Sequence, residues 1–240
     1  MSRRPDAGYV DGMAIRPEVA PGTLVVYTDI VCAWSTITLH RLHRARSAAG
    51  LDDALAFDLR LFPLEEVNGF PIPKSFLDSE VPVVGQLAEE LEWSIWQGDP
   101  SAWPNTLMPA NEAVHAAKAQ SLRASEQLDT ALRQALFRDS RPIALRHEIL
   151  DVAKGCDAVD VDALAEALDD GRARGPMLAD SRRHRDAVQG SPHLFLADGS
   201  DAHHPDADFR WRGGEEGAGF PIITRDEPQV LDALVRRAVA

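Results

Sequence analysis

Leu24-Val25-Val26-Tyr27-Thr28-Asp29-Ile30-Val31-Cys32-Ala33-Trp34-Ser35 changes its pattern in the middle. The opening residues are an apolar, β-branched run of the kind a buried strand needs. From Ala33 onward, Ile37, Leu39 and Leu42 recur at helical rather than strand spacing. The reading is a strand over about Leu24–Asp29 and a helix over about Trp34–Ala49 that stops at Gly50. Cys32 then lies between the carboxyl end of a strand and the first turn of a helix. Unpaired amides and the positive end of the helix dipole favour thiolate over thiol there. The position therefore predicts a cysteine whose pKa is lowered.

Downstream, Ala54–Leu61 alternates apolar and polar residues and ends in Phe62-Pro63, a second strand. Strand, helix, strand in this order is a βαβ unit, which demands a right-handed crossover and a parallel pair. Upstream, residues 1–21 are polar and rich in proline and glycine, an arm with little structure. Leu64–Pro82 reads as irregular. Helical patterns follow over about Val83–Glu92, Ala110–Ala124, Glu126–Arg138, Ile143–Lys154, Val161–Asp170 and Pro176–Ala187. Asn105 and Asp160 are candidate N-caps, and Gly155 and Gly171 candidate stops. After Gly190 the strand pattern returns in Pro192–Ala197, with an extended piece near Asp208–Trp211 completing a hairpin across Asp198-Gly199-Ser200-Asp201. Glu227–Val239 carries Val230, Leu231, Leu234, Val235 and Ala238 on one face, a closing amphipathic helix. The division is an arm at 1–21, an α/β core at 22–63 and 188–240, and an all-helical insertion at 64–187.

A net charge of −13 argues against a nucleic-acid backbone or an anionic membrane as the main partner. The two cysteines, Cys32 and Cys156, are too few for a disulfide scaffold. Met1–Glu18 has no apolar run after Arg3 and Arg4, so neither a signal peptide nor a membrane span is expected. A reducing cytoplasm is the expected location, and there a lone thiol stays reduced and able to work.

The order βαβ, helical block, ββα resembles the thioredoxin superfamily. The motifs that carry it are Asp29-Ile30-Val31-Cys32-Ala33-Trp34-Ser35, Pro104-Asn105-Thr106 before a helix, and Gly190-Ser191-Pro192 before a strand. The chain is most similar to the DsbA branch, in which a helical domain is inserted into the thioredoxin core. Within that branch it resembles the cytoplasmic FrnE-like proteins, relatives of kappa-class glutathione transferases and hydroxychromene carboxylate isomerases. The usual active-site form there is Cys-Pro-Trp-Cys after an Asp. Here Ala33 stands in place of the Pro and Ser35 in place of the second Cys.

The resemblance implies that Cys32 is the nucleophile of thiol–disulfide exchange. An isolated cysteine is ordinarily a small buried hydrophobe; its junction position, with the other motifs in order, makes Cys32 a candidate. A hydroxyl cannot resolve a mixed disulfide, so the site is expected to be monothiol, with the Ser35 Oγ hydrogen-bonding the sulfur. Ser191-Pro192 is expected to be a cis-proline loop whose backbone faces Cys32 and pairs with a bound thiol or peptide. Ala33, Trp34 and Asn105 complete the expected binding residues, with Trp34 a partly exposed wall. Trp93, Trp96 and Trp103 read as lid packing or cleft lining, and His193 as an exposed strand residue. Asp201, His203, His204, Asp206 and Asp208 mix metal-ligand types, but without fixed spacing or a second cluster no metal is expected. Cys156 reads as packing.

The leading expectation is a DsbA/FrnE-type monothiol oxidoreductase acting on a small thiol or a thiol-bearing protein. No tightly bound cofactor is expected beyond glutathione or an analogous low-molecular-weight thiol, and a homodimer is left open. The alternatives are a kappa-class-type, thiol-cofactor-dependent transferase or isomerase, and a non-catalytic protein that binds in the old groove.

Overall fold

The computed structural model describes residues 14–214, 217 and 219–240. The opening run forms β1 (Thr23–Thr28), whose last five residues are buried. It leads through Asp29–Cys32 into α1 (Ala33–Ala48). Gly50, at φ +67°, sits just beyond the helix and lets the chain turn toward β2 (Ala56–Leu61). β1 and β2 pair in parallel from Thr23↔Ala56 to Thr28↔Leu61.

The stretch after β2 is more helical than its prolines suggest. α2 (Leu64–Asn68) follows Pro63 directly, and α3 (Lys74–Val84) starts immediately after Pro73. A proline at or just before the first turn lacks only a donor that a helix leaves unused, so Pro71 and Pro73 announce α3 rather than forbid it, while Pro82 lies inside the helix near its end. Residues 85–91 continue as 3-10 turns broken at Ala88, where a regular helix was expected.

α4 (Met108–Lys118) and α5 (Leu122–Phe137) follow, divided at Ser121, whose hydroxyl accepts from the Ala124 N–H. α6 (Arg146–Ala153), α7 (Val161–Asp170) and α8 (Arg174–His184) complete the block. Asp160 caps α7, and left-handed Gly171 ends it, as the sequence predicts.

Two short strands, β3 (His193–Phe195) and β4 (Asp201–His203), complete a four-stranded sheet in the order β2-β1-β3-β4. β3 runs antiparallel to both neighbours. The hairpin partner of β3 is thus β4, not the 208–211 segment. That segment, β5 (Ala207–Trp211), pairs instead with β6 (Pro221–Asp226) in a separate two-stranded sheet. α9 (Val230–Arg237) closes the chain, burying Leu231, Leu234 and Val235 against α1. Of the N-terminal arm, residues 1–13 lie outside the described residues. The segment from Ala14 to Ala20 has no helix or strand but is tied down: Arg16 donates to Asp201 Oδ1 at 2.6 Å and to the Gly199 carbonyl, and lies over the Phe195 ring.

Candidate active site

Cys32 is the N-cap of α1, and its sulfur accepts the Ser35 backbone N–H at 3.4 Å. On the other side the thiol faces the loop before β3, where the Ser191–Pro192 bond is cis. The Cys32 S–H donates to the Ser191 carbonyl at 3.1 Å, and the Ser191 hydroxyl accepts from the Asp29 N–H at the same distance. Segments 162 residues apart are thereby joined on both sides of the sulfur.

Beneath this turn lies a group that the sequence reading did not single out. Arg133 of α5 is buried against the back of the Asp29–Thr36 segment. Its guanidinium donates to the Asp29 carbonyl (3.0 Å), Ser35 Oγ (3.1 Å), Thr36 Oγ1 (2.7 Å) and Thr28 Oγ1 (2.8 Å). Asp129, one helical turn earlier, neutralises it through two hydrogen bonds. An Asp/Arg pair at i, i+4 among alanines and leucines was the available signal. Asp29 is the second anchor. Its carboxylate accepts from the N–H groups of Val31 and Leu64 and from the Asn111 side chain, whose oxygen in turn takes the Ile30 N–H. Burial pushes the Asp29 carboxyl above its ordinary range against these donors.

Two sequence expectations about the sulfur change. Burial, at 8% exposure, pushes the Cys32 thiol up, and the Glu80 carboxylate adds to the rise. The Ser191 side chain and the Ser35 backbone N–H pull the other way and do not overcome it. The resting residue is a thiol, because desolvation of the anion outweighs the helix terminus. The Ser35 hydroxyl is turned inward, donating to the Asp29 and Cys32 carbonyls and accepting from Arg133, so its pull on the sulfur is the weakest of those acting.

Cys32 lies in a groove of about 580 Å³, walled by Val31, Trp34, Phe76, Glu80, Ser191, His203, His204, Phe209 and Trp211 among others. Trp34 is buried rather than partly exposed: its ring stacks on Phe209 at 3.9 Å, and its N–H donates to Glu80. A larger cleft, about 790 Å³, opens along another face of α1, past His43 and Arg46, and does not include Cys32.

Residues 23–209 match the DSBA-like thioredoxin domain. The chain belongs to the DsbA-like thioredoxin family. No curated protein matches it by sequence. Among solved structures it is similar to cytosolic disulfide reductase DsbM from Pseudomonas aeruginosa with GSH, at 19% identity and TM-score 0.59 over 89% of this chain and 97% of that one. It is also similar to a "probable DsbA oxidoreductase" from Streptomyces coelicolor, at 17% identity and TM-score 0.63 over 90% of this chain and 89% of that one.

In this DsbA-like chain, the expected site residues Cys32, Ala33, Trp34, Ser35, Ser191 and Pro192 come together at the α1 terminus and the loop facing it. Asn105 does not join them: it is exposed, the N-cap of α4 is Leu107, and the insertion's asparagine beside Asp29 is Asn111. Trp93 stacks on Phe137, and Trp96 packs edge-on to Trp103, away from the Cys32 groove. His193 is wholly buried, not exposed. Its Nδ1 accepts the Gln189 N–H, which leaves the Nε2 hydrogen to donate to Asp201 at 2.8 Å. The 201–208 cluster disperses: Asp206 turns under α1 to Thr38 and Arg41, while His203 and His204 face the groove. Cys156 is buried near the Val152 carbonyl. Among the described residues no helix is long and apolar enough to cross a membrane.

Proposed function

We infer that this chain is a monothiol thiol–disulfide oxidoreductase working through Cys32 on the mixed disulfide of a small thiol or a protein. The observation that carries the reading is the placement of Sγ at the α1 terminus, in a groove, 3.1 Å from the Ser191 carbonyl. Loss of the S–H proton frees that carbonyl. The thiolate attacks one sulfur of R–S–S–R′, forming Cys32–S–S–R; the old S–S bond breaks, and R′–S⁻ leaves and is protonated. A second thiol, R″–SH, then attacks the Cys32 adduct, giving R–S–S–R″ and restoring the Cys32 thiol. Overall, R–S–S–R′ and R″–SH become R–S–S–R″ and R′–SH: the R″ sulfur enters a disulfide as the R′ sulfur leaves one with a proton, and Ser35 takes no part in sulfur transfer. Glutathione or an analogous thiol is the proposed R″–SH, and the DsbM structure that carries GSH supports that class. The reaction suits a reducing cytoplasm, and both cysteines are free.

The test follows adducts by mass spectrometry with glutathione disulfide as the probe. Wild type forms a Cys32 adduct whose release is first order in added glutathione, Cys32→Ser forms none, and Ser35→Cys releases it independently of added thiol. Absence of a Cys32 adduct in wild type overturns the reading. Glutathione binding that survives Cys32→Ser, without exchange, replaces it by the transferase-type alternative.

A further inference from the structure

Exchange at a buried thiol needs somewhere for the proton to go, and the Ser191 carbonyl that holds the S–H is not a base. Glu80, His203, His204 and Asp208 line the groove with Cys32; Glu80 accepts from Trp34 and Asp208 from Arg225, which leaves the two histidines. His203 ends β4, which pairs with β3 directly after the Ser191–Pro192 loop. Its Nε2 points at Gly190: a Cβ on that glycine would lie 2.8 Å from it. The nitrogen therefore lies against the residue next to Ser191, and His203 and Cys32 line the same groove. Among the described residues the His203 ring has no hydrogen-bond partner. His203 meets the His193 and His204 rings edge-on, whereas His204 is also wedged edge-on against Trp34 and Phe209.

We propose that His203 is the proton carrier of the exchange, taking the proton from Cys32 as the sulfur attacks and giving it to the departing sulfur. This rests on the monothiol reading. The balance is closed: the S–H bond of Cys32 breaks and an N–H bond forms on the imidazole. The Cys32 S–S bond forms as the substrate S–S bond breaks, and the departing R′–S⁻ takes the proton back from nitrogen. The next thiol runs the sequence in reverse. A base of this kind activates a weakly ionised nucleophile and typically contributes 10²–10⁴-fold. Burial and the neighbouring His193 hold His203 neutral, ready to accept. The other charged or titratable groups around the pair are His204 and Asp208 beside His203 and Glu80 beside Cys32.

Gly190 supplies a test that changes no titratable group. The Gly190→Ala methyl would occupy the space of Nε2, and an imidazole tip can swing aside, so this variant displaces the base while leaving the fold. The experiment measures Cys32 adduct formation with bis(2-hydroxyethyl) disulfide from pH 6 to 11 in wild type, His203→Asn, Gly190→Ala and His204→Asn. His203→Asn is expected to be about 10- to 100-fold slower at pH 7 and to converge within about twofold at the alkaline end, where Cys32 ionises unaided. Gly190→Ala follows the same course in reduced degree, whereas any deficit in His204→Asn, which lines the same groove, is expected to be constant across pH. A His203→Asn deficit that is constant across pH, no deficit, or the same convergence in His204→Asn instead overturns the assignment. A wild type that forms no adduct at any pH overturns the monothiol reading and this proposal with it; normal adduct formation in both wild type and His203→Asn overturns this proposal alone.

Discussion

The sulfur of Cys32 is balanced between groups that hold its proton and groups that would stabilise its anion. The Ser35 N–H and the Ser191 side chain favour the anion, while burial and Glu80 oppose it and the Ser191 carbonyl accepts the S–H. Glu80→Gln removes the opposing charge and keeps an oxygen for the Trp34 N–H. The variant is expected to be alkylated by iodoacetamide at pH 7 about two- to tenfold faster than wild type. Slower or unchanged alkylation would show that Glu80 does not act on the thiol. Cys32 itself was legible because its environment is local: an apolar run, a change of period and a Cys where they meet. Glu80 was not, because a glutamate at the edge of a proline-broken stretch reads as solvated surface, and only the packing of α3 on α1 brings it to Trp34. The lowered thiol pKa expected from the helix terminus failed for the same reason: a sequence displays the dipole but not the desolvation.

At the scale of elements, the insertion does more than cover the core. Through Arg133 and Asp129, α5 holds the first turn of α1 from behind, and through Asn111, α4 holds the Asp29 loop. Removing one member of a buried pair strands the other in a low-dielectric interior. Arg133→Met is expected to lose about 3–5 kcal/mol in urea unfolding, with much of it recovered in Arg133→Met/Asp129→Leu, where no charge is left unpaired. A double variant no more stable than the single one contradicts this account. The βαβ unit, α7 and α9 were readable from periodicity and caps. β4 was not, since three residues of turn chemistry carry no alternation and become a strand only by pairing with β3. Ile222-Ile223-Thr224 offered a strand signal behind the glycine-rich 213–219 stretch, and it is β6 that takes β5 away from the main sheet.

For the molecule as a whole, buried titratable groups set the pH range in which the fold is stable. His43, packed on Phe57, is lowered to about 4, and His204 to about 3. The folded chain thus binds fewer protons than the unfolded one between the ordinary histidine value near 6.5 and those values, and stability falls as pH drops through that window. On the alkaline side, burial raises Cys32 and Tyr27, so stability is full below the ordinary thiol value and declines as pH rises past roughly 8.5. Urea midpoints measured across pH are expected to trace both limbs, with His43→Gln flattening the acid limb and Cys32→Ser the onset of the alkaline one. Limbs unchanged in these variants would assign the losses to other groups.

The pairing of Val25 with Phe195 brings the second neighbour of the first strand from 170 residues downstream. On the ribosome, the thiol has no facing carbonyl until Ser191 has emerged from the exit tunnel, and the nascent chain must carry an unshielded Cys32 while the whole helical block is made.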